Sequence, residues 1–292
     1  MSAIRVLLDH AIDYAGLFPP AGLPMREAVA NYSAYRASDD AWALGRFVVP
    51  VTRLAEFADT ARPLLARAGP AWRLSSIAGD DVRGDLSTVT EFNAAGLGAE
   101  VDCFEFRTGP LASFRQLAEL GPFGFQRFGE VPLSEAPEGY LPVMRSTLIG
   151  VKLRTGGVVP EAFPDPDLLL RWIKAVVDSG VALKCTAGLH HPVRGSYRLT
   201  YQDGAPEGVM FGYLNVMLAA AAFRMGAGED TARAILLEDD PAAFRLAGPE
   251  IRWREHPIAT PVLSVLRSEG SLAFGSCSFR EPLDELASIP VS

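Results

Sequence analysis

The chain has 292 residues, 49% of them hydrophobic and 21% charged, a globular composition that excludes a disordered protein. A net charge of −8 excludes general nucleic-acid binding, which needs a basic footprint, and no run of uninterrupted apolar residues is long enough to predict a membrane span. Three cysteines do not make a disulfide framework, and Met1–His10 lacks the apolar core of a signal peptide, so a cytoplasmic setting is expected.

Strand-like apolar runs alternate with amphipathic helical runs at the spacing of βα units. The first strand is short, around Ala11–Ala15, and a helix follows from about Pro24 to Ala37. Gly45–Val51 is the second strand, after which Thr52 caps a helix running to about Ala68. Arg73–Ala78 with Leu86–Ala95 makes the third pair, and Gly98–Phe106 with Pro110–Leu120 the fourth. Phe123–Glu130 is the fifth strand, followed by a short irregular helix within Ser134–Arg145. Thr147–Arg154 is the sixth, and Pro166 opens a helix whose apolar face carries Leu169, Ile173, Val176 and Val177. Val181–Thr186 is the seventh strand and Ser271–Ser276 the eighth.

Eight such units predict an α/β protein, a (β/α)8 or TIM barrel forming one domain over residues 1–292, with an elaborated segment at about 189–270 between strands seven and eight. Within that segment Val209–Met225 is apolar nearly all round. It is expected to be buried, in the barrel wall or at a contact within a homo-oligomer. Phe244–Trp253 reads as a hairpin around Gly248-Pro249.

Of the 27 basic residues only Lys152, Lys174 and Lys184 are lysines. A chain that uses arginine for ordinary cations keeps lysine where an amine is needed, because arginine cannot lose its proton to become a nucleophile. In the sixth and seventh strands Val151, Leu153, Leu183 and Cys185 suit the helix side. Alternation then points Lys152, Arg154, Lys184 and Thr186 inward, near the strand ends where barrel enzymes carry their active sites. Lys174 lies on a helix and is expected to be solvated. Two desolvated amines on neighbouring strands repel, which predicts a lowered pKa for one of them and nucleophilic character.

In the fourth strand Val101 and Cys103 suit the helix side, which places Asp102 inside as a balancing carboxylate and proton shuttle. After the eighth strand, Gly275-Ser276-Cys277-Ser278 offers backbone and hydroxyl donors to an anionic oxygen, with Ser276 and Ser278 as substrate-binding candidates. Asp13, at the end of the first strand, and Glu130, at the end of the fifth, are further candidates. Their plainer readings are a rigid turn and a salt bridge to Arg127 or Arg154. Cys103 and Cys185 read as apolar filler facing the helices.

His190-His191-Pro192-Val193-Arg194 follows the seventh strand. His190 and His191 are expected to bind substrate or move protons, and Arg194 to hold a carboxylate or phosphate. The alternative is a metal-dependent lyase or hydrolase in which the two histidines ligate an ion with Glu130, Asp13 or Cys277. No established metal-ligand spacing supports it, and neither metal nor cofactor is expected.

Four segments taken together resemble the class I aldolases of the deoxyribose-phosphate aldolase type. They are Glu100-Val101-Asp102, Lys152-Leu153-Arg154-Thr155-Gly156, Lys184-Cys185-Thr186-Ala187-Gly188 and Gly275-Ser276-Cys277-Ser278. The resemblance implies a carbon–carbon lyase in which Lys152 forms a Schiff base, Lys184 lowers its pKa and Asp102 handles protons. Thr155, in the Lys-x-x-Thr-Gly segment, joins the substrate-binding candidates. The expected partner is a small anionic carbonyl compound, a phosphate or a carboxylate, with no nucleic acid and no membrane. A non-catalytic protein would use Lys152, Arg154, Lys184 and Arg194 only to hold an anion.

Overall fold

In the computed structural model, which describes residues 2–65, 69–121, 123–270 and 272–289, eight parallel strands close on themselves. In chain order the strands are β1 (Ile12–Tyr14), β2 (Leu44–Pro50), β3 (Trp72–Ile77), β4 (Ala99–Arg107), β5 (Gln126–Glu130), β6 (Ile149–Arg154) and β7 (Leu183–Thr186). Outside the barrel follow β8 (Gly195–Arg198), β9 (Glu207–Met210), β10 (Phe244–Ala247), β11 (Glu250–Trp253) and β12 (His256–Ala259), and β13 (Ala273–Ser276) then closes it between β7 and β1. The helices are α1 (Ala3–Leu8), α2 (Met25–Arg36), α3 (Leu54–Leu65), α4 (Val82–Ala94), α5 (Leu111–Ala118) and α6 (Pro137–Thr147). After them come α7 (Pro166–Ser179), α8 (Tyr213–Arg224), α9 (Glu229–Leu237), α10 (Thr260–Gly270) and α11 (Arg280–Leu286). This is the (β/α)8 barrel that the spacing predicts. Among the described residues no helix is long and apolar enough to cross a membrane.

Local chemistry sets the elements. α7 starts where the Asp165 carboxylate accepts hydrogen bonds from the backbone N–H groups of Asp167 and Leu168, with Pro166 at its first position. It stops at Gly180, whose φ of 66° is the left-handed conformation that favours glycine. The face carrying Leu169, Ile173 and Val176 is buried. α8 is buried along Tyr213–Phe223 by α7, α9 and α10 of the same chain, so its apolar surface is wall packing. The hairpin around Gly248-Pro249 forms and gains a third strand, β12. The fifth strand begins at Gln126 rather than Phe123, and Phe123 and Phe125 stack on each other instead. Two expected boundaries, Ala66–Ala68 after α3 and Ser271 before β13, lie outside the described residues.

Two details of register position the site. On β6 and β7, Lys152 stands opposite Lys184 and Arg154 opposite Thr186, with Val151, Leu153, Leu183 and Cys185 in the apolar core. On β4 the residues packed into that core are Ala99 and Val101, then Phe104 and Phe106, so the alternation changes phase by one residue. The pairing with β3 slips at the same place: Val101 faces Leu74, but Cys103 faces Ser75. A bulge of this kind re-aims every side chain beyond it. It turns Cys103, Glu105 and Arg107 inward and leaves Asp102 below them.

Candidate active site

The inward residues of β4, β5, β6, β7 and β1 make a closed charge cluster. Lys152 is 3% exposed and its Nζ lies 2.8 Å from Glu105 Oε2 and 2.9 Å from Glu130 Oε2. Lys184 is 1% exposed; its Nζ donates to Asp13 Oδ2 and Glu105 Oε1, both at 2.5 Å, and to Ser75 Oγ at 3.3 Å. Glu105 therefore sits between the two amines with one oxygen on each. Burial alone would raise the Glu105 carboxyl, but the two ammoniums outweigh it and hold it well below the usual carboxylate range. Glu130 is lowered in the same way by Lys152 and Arg154 acting against burial. Burial opposes the charge on Lys184, yet Asp13 and Glu105 hold its ammonium well above the ordinary lysine range.

Asp13 reaches this cluster because nothing fills the space beside it. A Cβ on Gly45 would come 2.2 Å from Asp13 Oδ1, the oxygen that accepts the Arg46 backbone N–H at 2.6 Å. The lysines open upward on a cavity of about 790 Å³ at the C-terminal ends of the strands. Glu105, Glu130, Lys152, Lys184, Arg154 and Thr186 line it from the barrel, and Arg107 and Asp80 join them at the rim. His190 and Cys277 form another part of the wall. The Arg154 Nε donates to Glu130 Oε1 at 2.9 Å, so Glu130 bridges Lys152 and Arg154.

His190 is buried, with Nδ1 3.2 Å from Ser276 Oγ, 3.7 Å from Cys277 Sγ and 3.7 Å from Glu281 Oε2. Burial, with a smaller contribution from His191, pushes its pKa down to about 4, so the ring is a neutral imidazole near pH 7. Burial raises the Cys277 thiol, and Tyr201 Oη lies 3.4 Å from its sulfur.

Several sequence candidates lie elsewhere. Asp102 does not meet the lysines; it bridges Arg46 Nε at 2.6 Å and Arg73 Nε at 2.7 Å, because the β4 bulge gives its expected place to Glu105. Cys103 likewise faces the interior rather than the helices, as the same phase change requires. Thr155 is buried away from the cavity, and its hydroxyl donates to Ala187 O at 2.5 Å, tying the loop after β6 to the loop after β7. A Cβ on Gly188, where φ is +76°, would come 3.0 Å from Gly156 Cα, so those glycines let the two loops touch. Ser278 Oγ accepts the Glu281 backbone N–H at the start of α11 instead of facing substrate. Arg194 turns away to Leu237 O and Asp239, each at 3.5 Å, because Asn215 holds its backbone N–H against α8. His191 stacks on Tyr197 with ring centroids 3.4 Å apart and gives Nδ1 to Glu285 at 2.8 Å, outside the cavity lining.

Sequence reasoning overlooked Glu105, Arg107 and Ser75. Glu105 carried a signal: on uniform alternation it would sit among the helices while Phe104 and Phe106 pointed inward, which is the reverse of what their polarity demands. Of the donors expected for a metal, Cys277 lies beside His190, but Glu130 and Asp13 are engaged by the lysines and His191 turns to Glu285, so the expected set does not come together. Among the described residues one group does converge: His191, Glu281 and Glu285 bring ligand atoms within 4.8 Å of one another. No family model, curated protein or solved structure matches the chain.

Proposed function

We propose that the chain is a carbon–carbon lyase, aldolase-like, that acts on a small anionic carbonyl compound through a Schiff base on Lys152. One observation carries this reading. Lys152 is a buried amine facing a ligand-sized cavity, and its two protein partners are both carboxylates, which balance the charge of the ammonium and of the iminium that would replace it. An ammonium has three donors, and Lys152 commits two, leaving the third direction toward the cavity. Lys184 commits all three.

The steps balance with groups at hand. The Lys152 ammonium loses a proton to solvent in the cavity, relayed by Glu130, and the free amine adds to the substrate carbonyl carbon. Loss of water leaves an iminium, which draws the electron pair of the bond between its α and β carbons; that bond breaks, the β carbon departs as the first carbonyl product and an enamine remains. A base removes the proton of the hydroxyl on the departing carbon, and the neutral His190 imidazole lines the same cavity. Protonation of the enamine and addition of water release the second product and restore Lys152. Glu130 and Glu105 take the part first expected of Asp102.

A metal-dependent lyase or hydrolase is supported by the converging His191, Glu281 and Glu285, but none of the three lines the cavity. The test is a screen of aldehydes and 2-oxo acids with cyanoborohydride, read by intact mass. One reduced adduct per chain in the native protein, absent from Lys152→Met, is the expected result. Turnover that persists in Lys152→Met and disappears with chelator overturns the reading in favour of the metal.

A further inference from the structure

The rim of the barrel carries a second tier of charge above the amines. Arg107 follows Glu105 by two residues on the inward face of β4, and Arg154 follows Lys152 by two on β6. Two residues along a strand rise about 6.6 Å. Both arginines line the cavity. The three carboxylates of the tier below, Asp13, Glu105 and Glu130, are matched by Lys152 and Lys184 within that tier and by the Nε of Arg154 from above. The Arg107 guanidinium is left over, with no hydrogen bond or ion pair among the described residues. Among the described residues Arg154 uses only its Nε, on Glu130, so its two terminal nitrogens are open to bond into the cavity. Asp80, the remaining charged group of the lining, forms no ion pair with Arg107.

We infer that Arg107, with the free edge of Arg154, is the subsite for the substrate's anionic group, a carboxylate or phosphate oxyanion carried two to four atoms from the reacting carbonyl. Guanidinium groups grip such oxyanions through paired N–H donors, whereas a single amine is a point charge. The separation follows from the tiers: a carbonyl carbon bonded to Lys152 Nζ places a group two to four atoms away at the height of the arginines. This moves anion recognition to the β4 and β6 side of the cavity. Ser278, expected to serve it from the β13 side, is occupied in starting α11, and Arg194 faces α9. The placement of the carbonyl rests on the Schiff-base reading above; the anion site itself does not.

The experiment compares cyanoborohydride labelling of Lys152 by 4-oxobutanoate, glycolaldehyde phosphate and butanal. It is paired with calorimetric binding of succinate and of inorganic phosphate. At least one anionic aldehyde should label at a concentration tenfold or more below that of butanal, and Arg107→Gln should collapse that ratio by tenfold or more. Arg62→Gln, on the exposed face of α3, serves as control. Whichever aldehyde, carboxylate or phosphate, shows the larger preference names the anion. Labelling without anionic preference, or a ratio unmoved in Arg107→Gln, overturns the inference and leaves the Schiff base standing. If no compound labels Lys152, the Schiff-base reading falls, and calorimetry decides the subsite. A tenfold or greater loss of succinate or phosphate affinity in Arg107→Gln upholds it, and undetectable binding or equal affinity overturns it.

Discussion

The two buried lysines share a row of the barrel and differ in what surrounds them. Lys184, on the β7 and β1 side, is closed in by Asp13, Glu105 and Ser75, and its ammonium is fixed. Lys152, on the β5 and β6 side, shares its carboxylates with neighbours: Glu105 with Lys184 and Glu130 with Arg154. Removing Lys184 leaves Asp13 without a side-chain partner among the described residues. Removing Lys152 leaves every carboxylate still paired. The same side chain is fully enclosed by protein partners in one setting and, on the reading proposed above, open to chemistry in the other; the distribution of its partners makes the difference. The repulsion between paired amines that the sequence predicts is offset by the carboxylate set between them.

Lys184→Met should break that contrast most sharply. An uncompensated buried charge costs about 3–5 kcal/mol, so urea unfolding should show a loss of that size for Lys184→Met. Lys152→Met should lose only about 1–3 kcal/mol, the cost of unmade hydrogen bonds to charged groups. Equal losses would remove the distinction between the two sites.

The β13 side must also hold a neutral group. His190 titrates at about 4 in the folded chain against an ordinary value of 6.5, so between those values the unfolded chain binds more protons and stability falls as pH drops. That loss should be on the order of 3 kcal/mol from the linkage relation, and His190→Gln should flatten the profile across this window. Glu105 and Glu130 act lower. Their stabilisation is complete above about 4.5 and is lost only as pH falls through their depressed folded values. An unchanged slope between pH 6.5 and 4 in His190→Gln would show that the histidine is not held neutral.

Glu130→Gln keeps the shape of the Lys152 side and removes the carboxylate proposed to relay its proton. Imine formation at pH 7 should slow by about 100-fold, the lower range for losing a general base. Asp102→Asn, which lies below the bulge on Arg46 and Arg73, should change it by less than about threefold. The reverse order would restore Asp102 to the role that uniform alternation gives it. The smallest effect concerns the loops: Thr155→Val should cost about 1 kcal/mol by breaking one buried hydrogen bond.

The barrel and its inward lysines were legible because β6 and β7 alternate without interruption, with aliphatic residues on one side and charge on the other. β4 was misread past Val101, since one extra residue in the bulge reverses every later side chain. Only the polarity of Phe104, Glu105 and Phe106 marked the reversal. The Lys-x-x-Thr-Gly and Lys-x-Thr-x-Gly segments were legible as a pattern, but the residues after the lysines serve loop packing. Partners far apart in sequence, such as His190 with Cys277 or Lys184 with Asp13, leave no local trace, because residue type alone does not say what a side chain will meet. α1, only six residues long, is held by packing on α10 and the outer sheet and carries too few residues for a periodic signal.

Peptide-level mapping of a reduced imine tests the central claim most directly, because the chain offers only three lysines to choose from. With an anionic aldehyde and cyanoborohydride at pH 7, the label should fall on Lys152. Lys184, fixed as an ammonium, and Lys174, paired with Asp178 on the surface, should stay unmodified. Label spread equally over Lys152 and Lys174, or placed on Lys184, would contradict the account, as would full turnover in Lys152→Arg.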